Sequence, residues 1–332
     1  MVTTRLAGSL RHARHALIAL AAILMPGIPA ASAQDYPNRP IRVIVPAAPG
    51  GALDRLSRMI SDKLQARWRQ PVIAENRPGG GGNVGAEFVF KAAPDGYTLL
   101  FTDAGQIALY KNLLYPKLAF DPDAFAMVSL VTRSPAVLVV HPKVPEESVQ
   151  QLVAYARAHP DRLNYASAGN GTTLHLAGEL FKAKAGVKIV HVPYKGSGPA
   201  LTDLLGGQVD MMFHGLGFVL PHIRAGKLRP LGIGTEKRNP LLPDTPPIAD
   251  VLPGFAAISW HVMVAPPGTP AAISNNLSAA IAESLRLPDV TRQLAELGIE
   301  AIGSTPAEMA AFIAQERERF APVIRASGIS AE

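Results

Sequence analysis

Short apolar segments alternate with amphipathic segments along most of the chain. The apolar segments are rich in Val, Ile and Leu and are bounded by turn residues, which is typical of buried β-strands. Between them, apolar residues recur every three or four positions, which predicts helices with one buried face. The alternation predicts an α/β protein with mostly parallel sheets flanked by helices. The predicted strands are Ile41–Val45, Val72–Glu75, Thr98–Phe101, Val137–Val140, Leu163–Ser167, Lys188–Val192, Val209–Phe213 and Leu228–Ile233.

The loop Pro46-Ala-Ala-Pro-Gly-Gly-Ala-Leu-Asp54 is the first candidate binding site. It follows the strand Ile41–Val45 and precedes a helical apolar stripe, so Gly50 and Gly51 lie at or just before a helix N-terminus. Such an end presents unpaired N–H groups and a partial positive charge, which favour an anion. Taken alone, the loop is equally compatible with an ordinary strand-to-helix turn.

Two later loops occupy the same position relative to a strand and a helix. They are Ser167–Thr173 and Val192–Gly196, the second leading through Gly198-Pro199 into a helix. Ligands of open α/β sheets bind at the carboxyl ends of strands, so three such helix N-termini can converge on one anion. Each loop by itself is also explained by capping and turn chemistry.

The last third of the chain has a different pattern, in which helices dominate. Thr269-Pro270 opens one predicted helix, and Thr305-Pro-Ala-Glu308 is a capping box that opens another. We predict that the chain leaves a first domain near Pro135 and returns to it near Ile258. The predicted domains are therefore 34–134 with 258–332, and 135–257, with a cleft between them that suits a small molecule.

The N-terminus has the features of a secretory signal peptide. Three arginines precede the apolar run Ala16–Met25, and Ala31-Ser-Ala33 matches a small-residue cleavage site, so residues 1–33 are predicted to be removed. The apolar run is shorter than the ~18 residues that a membrane-spanning helix needs. Without cysteine, the chain has no thiol for a lipid anchor or a disulfide. We expect a soluble exported protein whose mature chain is not inserted in a membrane.

Charge and motifs exclude several classes of function. The net charge of +6 falls to +3 on cleavage, because the first 33 residues hold three arginines and no acid. The remaining basic residues are scattered, so no nucleic-acid partner is predicted. Gly79–Gly82 lacks the Lys-Ser/Thr of a phosphate-binding loop, and neither a Gly-x-Ser-x-Gly nor a His-Glu-x-x-His motif occurs. We therefore predict no catalytic residue, cofactor or metal, although a hydrolase with a dispersed site stays open.

A set of short motifs resembles the Bug family of periplasmic solute-binding proteins, the receptors of tripartite tricarboxylate transporters. The motifs follow the family's order over nearly all of the chain from residue 34. They are Tyr36-Pro-x-Arg-Pro-Ile, the Pro46–Asp54 loop, Glu75-Asn-Arg-Pro-Gly-Gly-Gly-Gly82, Ala93-Pro-Asp-Gly-Tyr-Thr-Leu-Leu100, His191-Val-Pro-Tyr-Lys-Gly196, Gly206-Gly-Gln-Val-Asp210 and Ala265-Pro-Pro-Gly-Thr-Pro270. The resemblance implies a two-lobed Venus flytrap fold in the periplasm.

The resemblance also implies a ligand and a binding site. The family binds organic carboxylates such as dicarboxylates, aromatic acids or amino acids, which it grips through backbone amides, hydroxyls and water, and its partners are the membrane subunits of the transporter. A role in signalling to a membrane sensor kinase shares the same closure mechanism and stays open. Carried onto this chain, the ligand-binding residues are Ala48, Pro49, Gly50, Gly51, Ala52, Asp54, Thr102 and Gln106 in the first lobe, and Ser167, Gly169, Thr172, Thr173, Tyr194 and His214 in the second.

Three positions depart from the family's pattern. Ala47 replaces a residue that is often aromatic, and Ala52-Leu53 replaces a more polar pair, so both favour a larger or more apolar ligand. His214 stands where Asp or Asn is common, and it pairs with a second carboxylate if protonated or is a neutral hydrogen-bonding or structural residue. Asp103, in the predicted loop 102–106, is unfavourable beside an anion unless it points away, caps a turn or contacts an amino group.

Overall fold

The computed structural model describes residues 36–108 and 118–327, so the predicted signal peptide lies outside the described residues. Every helix and strand described belongs to the compact unit Arg39–Glu332. The strands are β1 (Ile41–Val45), β2 (Val72–Asn76), β3 (Thr98–Asp103), β4 (Ala126–Val140), β5 (Asn164–Ser167), β6 (Val190–Pro193), β7 (Met211–Gly215), β8 (Arg229–Ile233), β9 (Ile258–Ala265) and β10 (Glu300–Ala301). The helices are α1 (Ala52–Trp68), α2 (Asn83–Phe90), α3 (Ala104–Ala108), α4 (Val149–Ala158), α5 (Thr173–Ala185), α6 (Ser197–Leu205), α7 (Leu216–Arg224), α8 (Ala271–Leu285), α9 (Pro288–Glu296) and α10 (Pro306–Ser327).

The strands form one curled sheet in the order β2-β1-β3-β9-β4-β7-β5-β6, with β8 and β10 also paired to β4. This architecture confirms the prediction of a two-lobed α/β fold. Parallel pairing, however, is confined to β2-β1-β3 and to β6-β5-β7. The pairs that involve β4 and β9 are antiparallel, so the expectation of mostly parallel sheets is correct only for these outer strands.

Strand β4 is longer than the sequence pattern predicts. The predicted strand Val137–Val140 is the last part of a 15-residue strand that begins at Ala126. Residues 126–135 pair with β9, and residues 136–140 pair with β7 and β8, so one strand serves both halves of the sheet. The predicted domain boundary near Pro135 therefore falls inside a continuous strand, and the boundaries themselves stay a prediction.

The apolar run at the end of β4 is explained by burial on both faces of the sheet. Leu138 and Val140 pack with Phe181 and Phe213 on one face. Val137 and Val139, which point the other way, join a second apolar cluster with Leu204 of α6 and Leu216 of α7. A third cluster, which includes Leu100, Val262 and Met309, fills the other half of the sheet. The sheet therefore packs directly against α6 and α7.

Two further segments can be compared with the sequence pattern, the glycine run and residues 102–106. The glycine run lies between β2 and α2 and forms a short 3-10 turn at Gly80–Gly82. The segment 102–106 was predicted to be a loop and is instead the end of β3 and the start of α3. The error arose because Thr102 and Asp103 are polar, yet both are buried and pair with β9. Among the described residues, none of the helices has the length and apolar character required to cross a bilayer.

Candidate functional site

The amino ends of α1 and α6 meet, and this contact organises the candidate site. Gly51 is the N-cap of α1 and Gly196 the N-cap of α6. The Ala52 amide donates to Ser197 Oγ at 3.1 Å, and the Ala48 amide donates to the Lys195 carbonyl at 2.7 Å. Two segments about 145 residues apart in the chain are thus joined directly. The Gly50-Gly51 pair lies just before a helix N-terminus, as the sequence predicts.

Only glycine permits this close approach. A Cβ placed on Gly51 would lie 2.7 Å from Ser197 Oγ and 2.9 Å from the Gly198 amide nitrogen. A Cβ placed on Gly198 would lie 3.1 Å from the Gly51 amide nitrogen and 3.1 Å from the Pro49 carbonyl. The two helix N-termini therefore present their first amides at nearly the same point. Because both ends carry partial positive charge, an anion stabilises their juxtaposition.

Asp54 holds the first loop in shape. One carboxylate oxygen accepts from the Gly50 amide at 2.9 Å, and the other accepts from Arg58 Nε at 2.9 Å. Burial by itself raises the pKa of the Asp54 carboxyl, but the hydrogen bonds from Arg58 and Gly50 outweigh it and keep the pKa below its ordinary value. The Gly50 amide therefore donates to Asp54, and this residue of α1 stabilises the loop that precedes the helix.

Two cavities flank the contact between α1 and α6. The smaller has a volume of about 30 Å³ and is lined by Ala47, Gly51, Gln106, Thr172 and Ser197, with His261 among its other walls. That volume suits one or two water molecules. The larger, which we call the distal cavity, has a volume of about 190 Å³ and also borders Gly51 and Ser197.

The distal cavity combines a charged and polar side with an apolar side. Arg55, His214 and His222 line the polar side. The apolar side is formed by Leu201, Phe218, Pro221 and Leu297. Gly217 and Phe218 of this lining belong to the first turn of α7, so a third helix begins at the cavity wall. A site of this size and composition suits a small organic anion with an apolar body.

The amino end of α5 is occupied by a carboxylate of the protein itself. Asp103 accepts from the Thr173 amide at 3.0 Å, from Thr173 Oγ1 at 2.7 Å and from the Gly105 amide at 2.8 Å. Burial raises the pKa of Asp103 to about 6, although these hydrogen bonds favour the ionised form. Asp103 therefore caps a helix, which is one of the roles that the sequence leaves open. The first amide of α5 is therefore paired within the protein, as is the Ala52 amide at the start of α1, which donates to Ser197 Oγ.

The remaining residues of the second loop support its shape. Ser167 Oγ lies 2.7 Å from His191 Nε2 and accepts from the Gly169 amide at 3.1 Å. Thr172 Oγ1 caps α5 and donates to the Gly169 carbonyl at 2.9 Å. His191 stacks on His175 with ring centroids 4.2 Å apart. Burial lowers the pKa of His175 to about 4 and that of His191 to about 3, so both are neutral and structural at pH 7.

Three predicted residues have polar partners that fix their side chains. Thr102 Oγ1 donates to Gln106 Oε1, and the Gln106 amide donates to the Gly81 carbonyl, which ties α3 to the glycine run. The Tyr194 hydroxyl donates to Asp203 at 2.6 Å. Burial, followed by the Asp203 carboxylate, raises the pKa of Tyr194 to about 12.

The structure places some of the predicted site residues in the walls of the two cavities and others in the hydrogen bonds that shape the loops. Gly50, Gly51, Ala52, Gln106, Thr172 and His214 line the two cavities. Ala48, Asp54, Thr102, Ser167, Gly169 and Thr173 make the hydrogen bonds that shape the loops. Pro49 contributes its carbonyl next to Gly198, and Tyr194 is bound to Asp203. Ligand contact by each of these residues stays a prediction.

Sequence reasoning missed Ser197 and Arg55, which both line the distal cavity. Ser197 is the first residue of α6, where a hydroxyl can meet another chain segment, and its position after Lys195-Gly196 was the available signal. Arg55 follows Gly51 by one helical turn, so it necessarily lies near the N-terminus of α1. Its Nε donates to the Gly50 carbonyl at 3.1 Å. Within residues 36–108 and 118–327, no cluster of side chains has the composition of a metal site.

Solved structures similar to this chain include the periplasmic binding protein BugD, which is 31% identical with a TM-score of 0.83 over 89% of this chain and 99% of that one. The chain is 37% identical to Rpa4515 of R. palustris in a structure with adipate, with a TM-score of 0.84 over 89% of this chain and 99% of that one. It is 34% identical to MatC of Rhodopseudomonas palustris in a structure with bound malate, with a TM-score of 0.83 over 87% and 100% of the two chains. The fold is therefore that of a two-lobed periplasmic solute-binding protein.

The family follows from the sequence comparisons. Residues 56–329 match the tripartite tricarboxylate transporter family receptor, TctC. The protein BugT of Bordetella pertussis is 38% identical over 299 residues, which cover 90% of this chain and 92% of BugT. The chain belongs to the TctC family of receptors, as its Bug-like motifs indicate.

Proposed function

We propose that this chain is exported to the periplasm with loss of residues 1–33, captures a small organic carboxylate between its lobes, and delivers it to the membrane subunits of a tripartite tricarboxylate-type transporter. The lobes are residues 34–134 with 258–332, and 135–257. The observation that carries the proposal is the meeting of the α1 and α6 N-termini at Gly51 and Gly198, one from each lobe. The adipate and malate bound by the two neighbours are carboxylates, which supports the same ligand class.

The expected affinity is consistent with binding of a carboxylate by hydrogen bonds at the two helix N-termini. Charge-assisted hydrogen bonds contribute about 1.5 kcal/mol or more each, and each helix N-terminus adds ~0.3–1 kcal/mol. Four such bonds with two helix ends approach the ~8 kcal/mol of a micromolar complex before the costs of association are subtracted. Arg55, which lines the distal cavity, supplies a positive charge. A receptor of this kind needs no chemical step.

The proposal is tested by thermal unfolding of residues 34–332 with a panel of carboxylates, with sugars and divalent metals as controls. A ligand at 100 times its dissociation constant adds about 2.7 kcal/mol to the free energy of unfolding, so the melting temperature should rise by several degrees. Carboxylate hits that are recovered unchanged support the receptor function. Stabilisation by sugars or metals alone, or chemical conversion of a hit, contradicts it.

The contact between the helices is tested by Gly51→Ala. The new Cβ would lie 2.9 Å from backbone at Gly198, so the two helix N-termini must separate and the shared anion position is lost. We expect the carboxylate hits to bind at least tenfold more weakly by calorimetry, and the steric overlap to lower the free energy of unfolding by about 1–3 kcal/mol. Gly206→Ala is the matched control, because Gly206 has φ −82° and its Cβ would make an ordinary 3.5 Å contact. Equal loss of affinity in both variants would show that the contact between the α1 and α6 N-termini does not contribute to ligand binding.

A further inference from the structure

His214 is a buried polar side chain, 1% exposed, in the lining of the distal cavity. Its Nδ1 lies 3.3 Å from the Gly215 carbonyl, while no partner within the described residues is found for Nε2. A carbonyl can only accept, so Nδ1 carries the proton and Nε2 presents a lone pair. His214 therefore offers an acceptor to the cavity.

The surroundings of His214 keep its ring neutral. Burial lowers the pKa of His214 to about 4, and the nearby Arg55 and His222 add positive charge that acts in the same direction. A neutral ring with its proton on Nδ1 cannot donate from Nε2, so it gives a carboxylate no hydrogen bond at this point. The group that fits against Nε2 is a hydrogen-bond donor.

The size and walls of the cavity describe the rest of the ligand. Its volume of about 190 Å³ exceeds the ~150 Å³ of an apolar cavity known to admit benzene. Leu201, Phe218, Pro221 and Leu297 provide apolar walls. The same cavity borders Gly51 and Gly198, where the two helix N-termini meet, so one molecule can reach from the helix ends to His214.

We infer that the distal cavity takes a carboxylate whose six-carbon-sized body carries a hydroxyl or amino group that donates to His214 Nε2. This inference rests on the proposed function and narrows its ligand class to hydroxylated or aminated acids. The carboxylate lies at the α1 and α6 N-termini near Arg55, and the body packs against Phe218. Simple monocarboxylates leave His214 unpaired, and dicarboxylates place a second anion against a lone pair.

The test compares acids that differ only in the donor. Benzoate is measured against 4-hydroxybenzoate and 4-aminobenzoate, and hexanoate against 6-hydroxyhexanoate and 6-aminohexanoate, with succinate and adipate as dicarboxylates. By calorimetry, at least one donor-bearing acid should bind about tenfold more tightly than its parent and than both dicarboxylates. In His214→Phe, the preference for the donor-bearing acid over its parent should fall below about twofold. His214→Leu replaces this variant if His214→Phe does not fold. His159→Phe, at an exposed position outside the cavity, should keep it.

The outcomes separate this inference from the function on which it rests. Tight binding of the parent acids or the dicarboxylates upholds the carboxylate receptor and overturns the role of His214. A donor preference that persists in both His214 variants also overturns that role. If none of these carboxylates binds, the narrowed ligand class is wrong. The proposed function fails only if the wider carboxylate panel is negative as well.

Discussion

At the scale of single residues, Asp103 has a structural role that its sequence context does not indicate. In the sequence it is an acid placed awkwardly near a predicted anion site. In the structure it receives three hydrogen bonds, two of them from Thr173, which is 70 residues away. Sequence patterns cannot supply that partner, because it depends on the end of β3 reaching the start of α5. Ser197 was missed for the same reason, since its partner Ala52 is 145 residues away.

Asp103→Ala should therefore destabilise the protein. The substitution leaves three buried donors without an acceptor, and each unpaired buried group costs about 1–3 kcal/mol. We expect the free energy of unfolding in urea to fall by about 3 kcal/mol or more. Asp244→Ala, at an exposed position, should change it by less than about 0.5 kcal/mol. A loss at Asp103 no larger than that at Asp244 would show that the Thr173 bonds add nothing to stability.

At the scale of elements, local signals predicted helices well and strands less completely. The start of α1 was predicted because periodic apolar residues and the Gly50-Gly51 pair are all local in the chain. The first part of β4 was not predicted, because Ser129 and Thr132 interrupt its apolar pattern. Both are fully buried, and Thr132 Oγ1 lies 3.0 Å from His261 Nδ1 on β9. Polar residues in a strand are tolerated when a distant strand supplies their partner, and that information is not local.

The capping box of α10 offers a test at this scale. The Thr305 amide and hydroxyl both donate to the Glu308 carboxylate, and the Glu308 amide donates to Thr305 Oγ1, as the sequence predicts. Thr305→Ala removes the side-chain cap and should lower the free energy of unfolding by about 1 kcal/mol. Thr305→Ser keeps the hydroxyl and should stay within a few tenths of a kcal/mol of the parent. Chemical denaturation of both variants decides whether the box stabilises the helix.

At the scale of the whole molecule, buried histidines govern the response to acid. Burial lowers the pKa values of His175, His214 and His261 to about 4 and that of His191 to about 3. Between pH 4 and 6.5 the unfolded chain protonates these rings and the folded chain does not, so stability falls as the pH falls. Asp103, with its pKa raised to about 6, opposes this trend between pH 6 and 4 because the folded chain holds its proton more tightly.

The histidines outnumber the single opposing carboxyl, so we expect a net loss of stability on acidification from pH 7 to 5. Near pH 5 the unfolded state should bind on the order of three more protons than the folded state. The free energy of unfolding, measured by urea denaturation between pH 7 and 5, changes with pH by a slope that gives this number of protons. His261→Gln should reduce the slope by about one proton. Stability that rises on acidification would mean that these rings are already charged in the folded protein.

The long strand β4 also constrains the order in which the chain can fold. Its partners β7, β8, β9 and β10 all follow it in the sequence, and β3 reaches it only through β9. The half of the sheet that contains β1, β2 and β3 cannot join β4 until residues near 258–265 are present, whereas the other half needs only β5 to β8. Assembly from such distant segments is slow, because loop closure precedes the contacts that stabilise it. A chain that emerges from its N-terminus therefore cannot complete the half of the sheet with β1, β2 and β3 until about four-fifths of it is present.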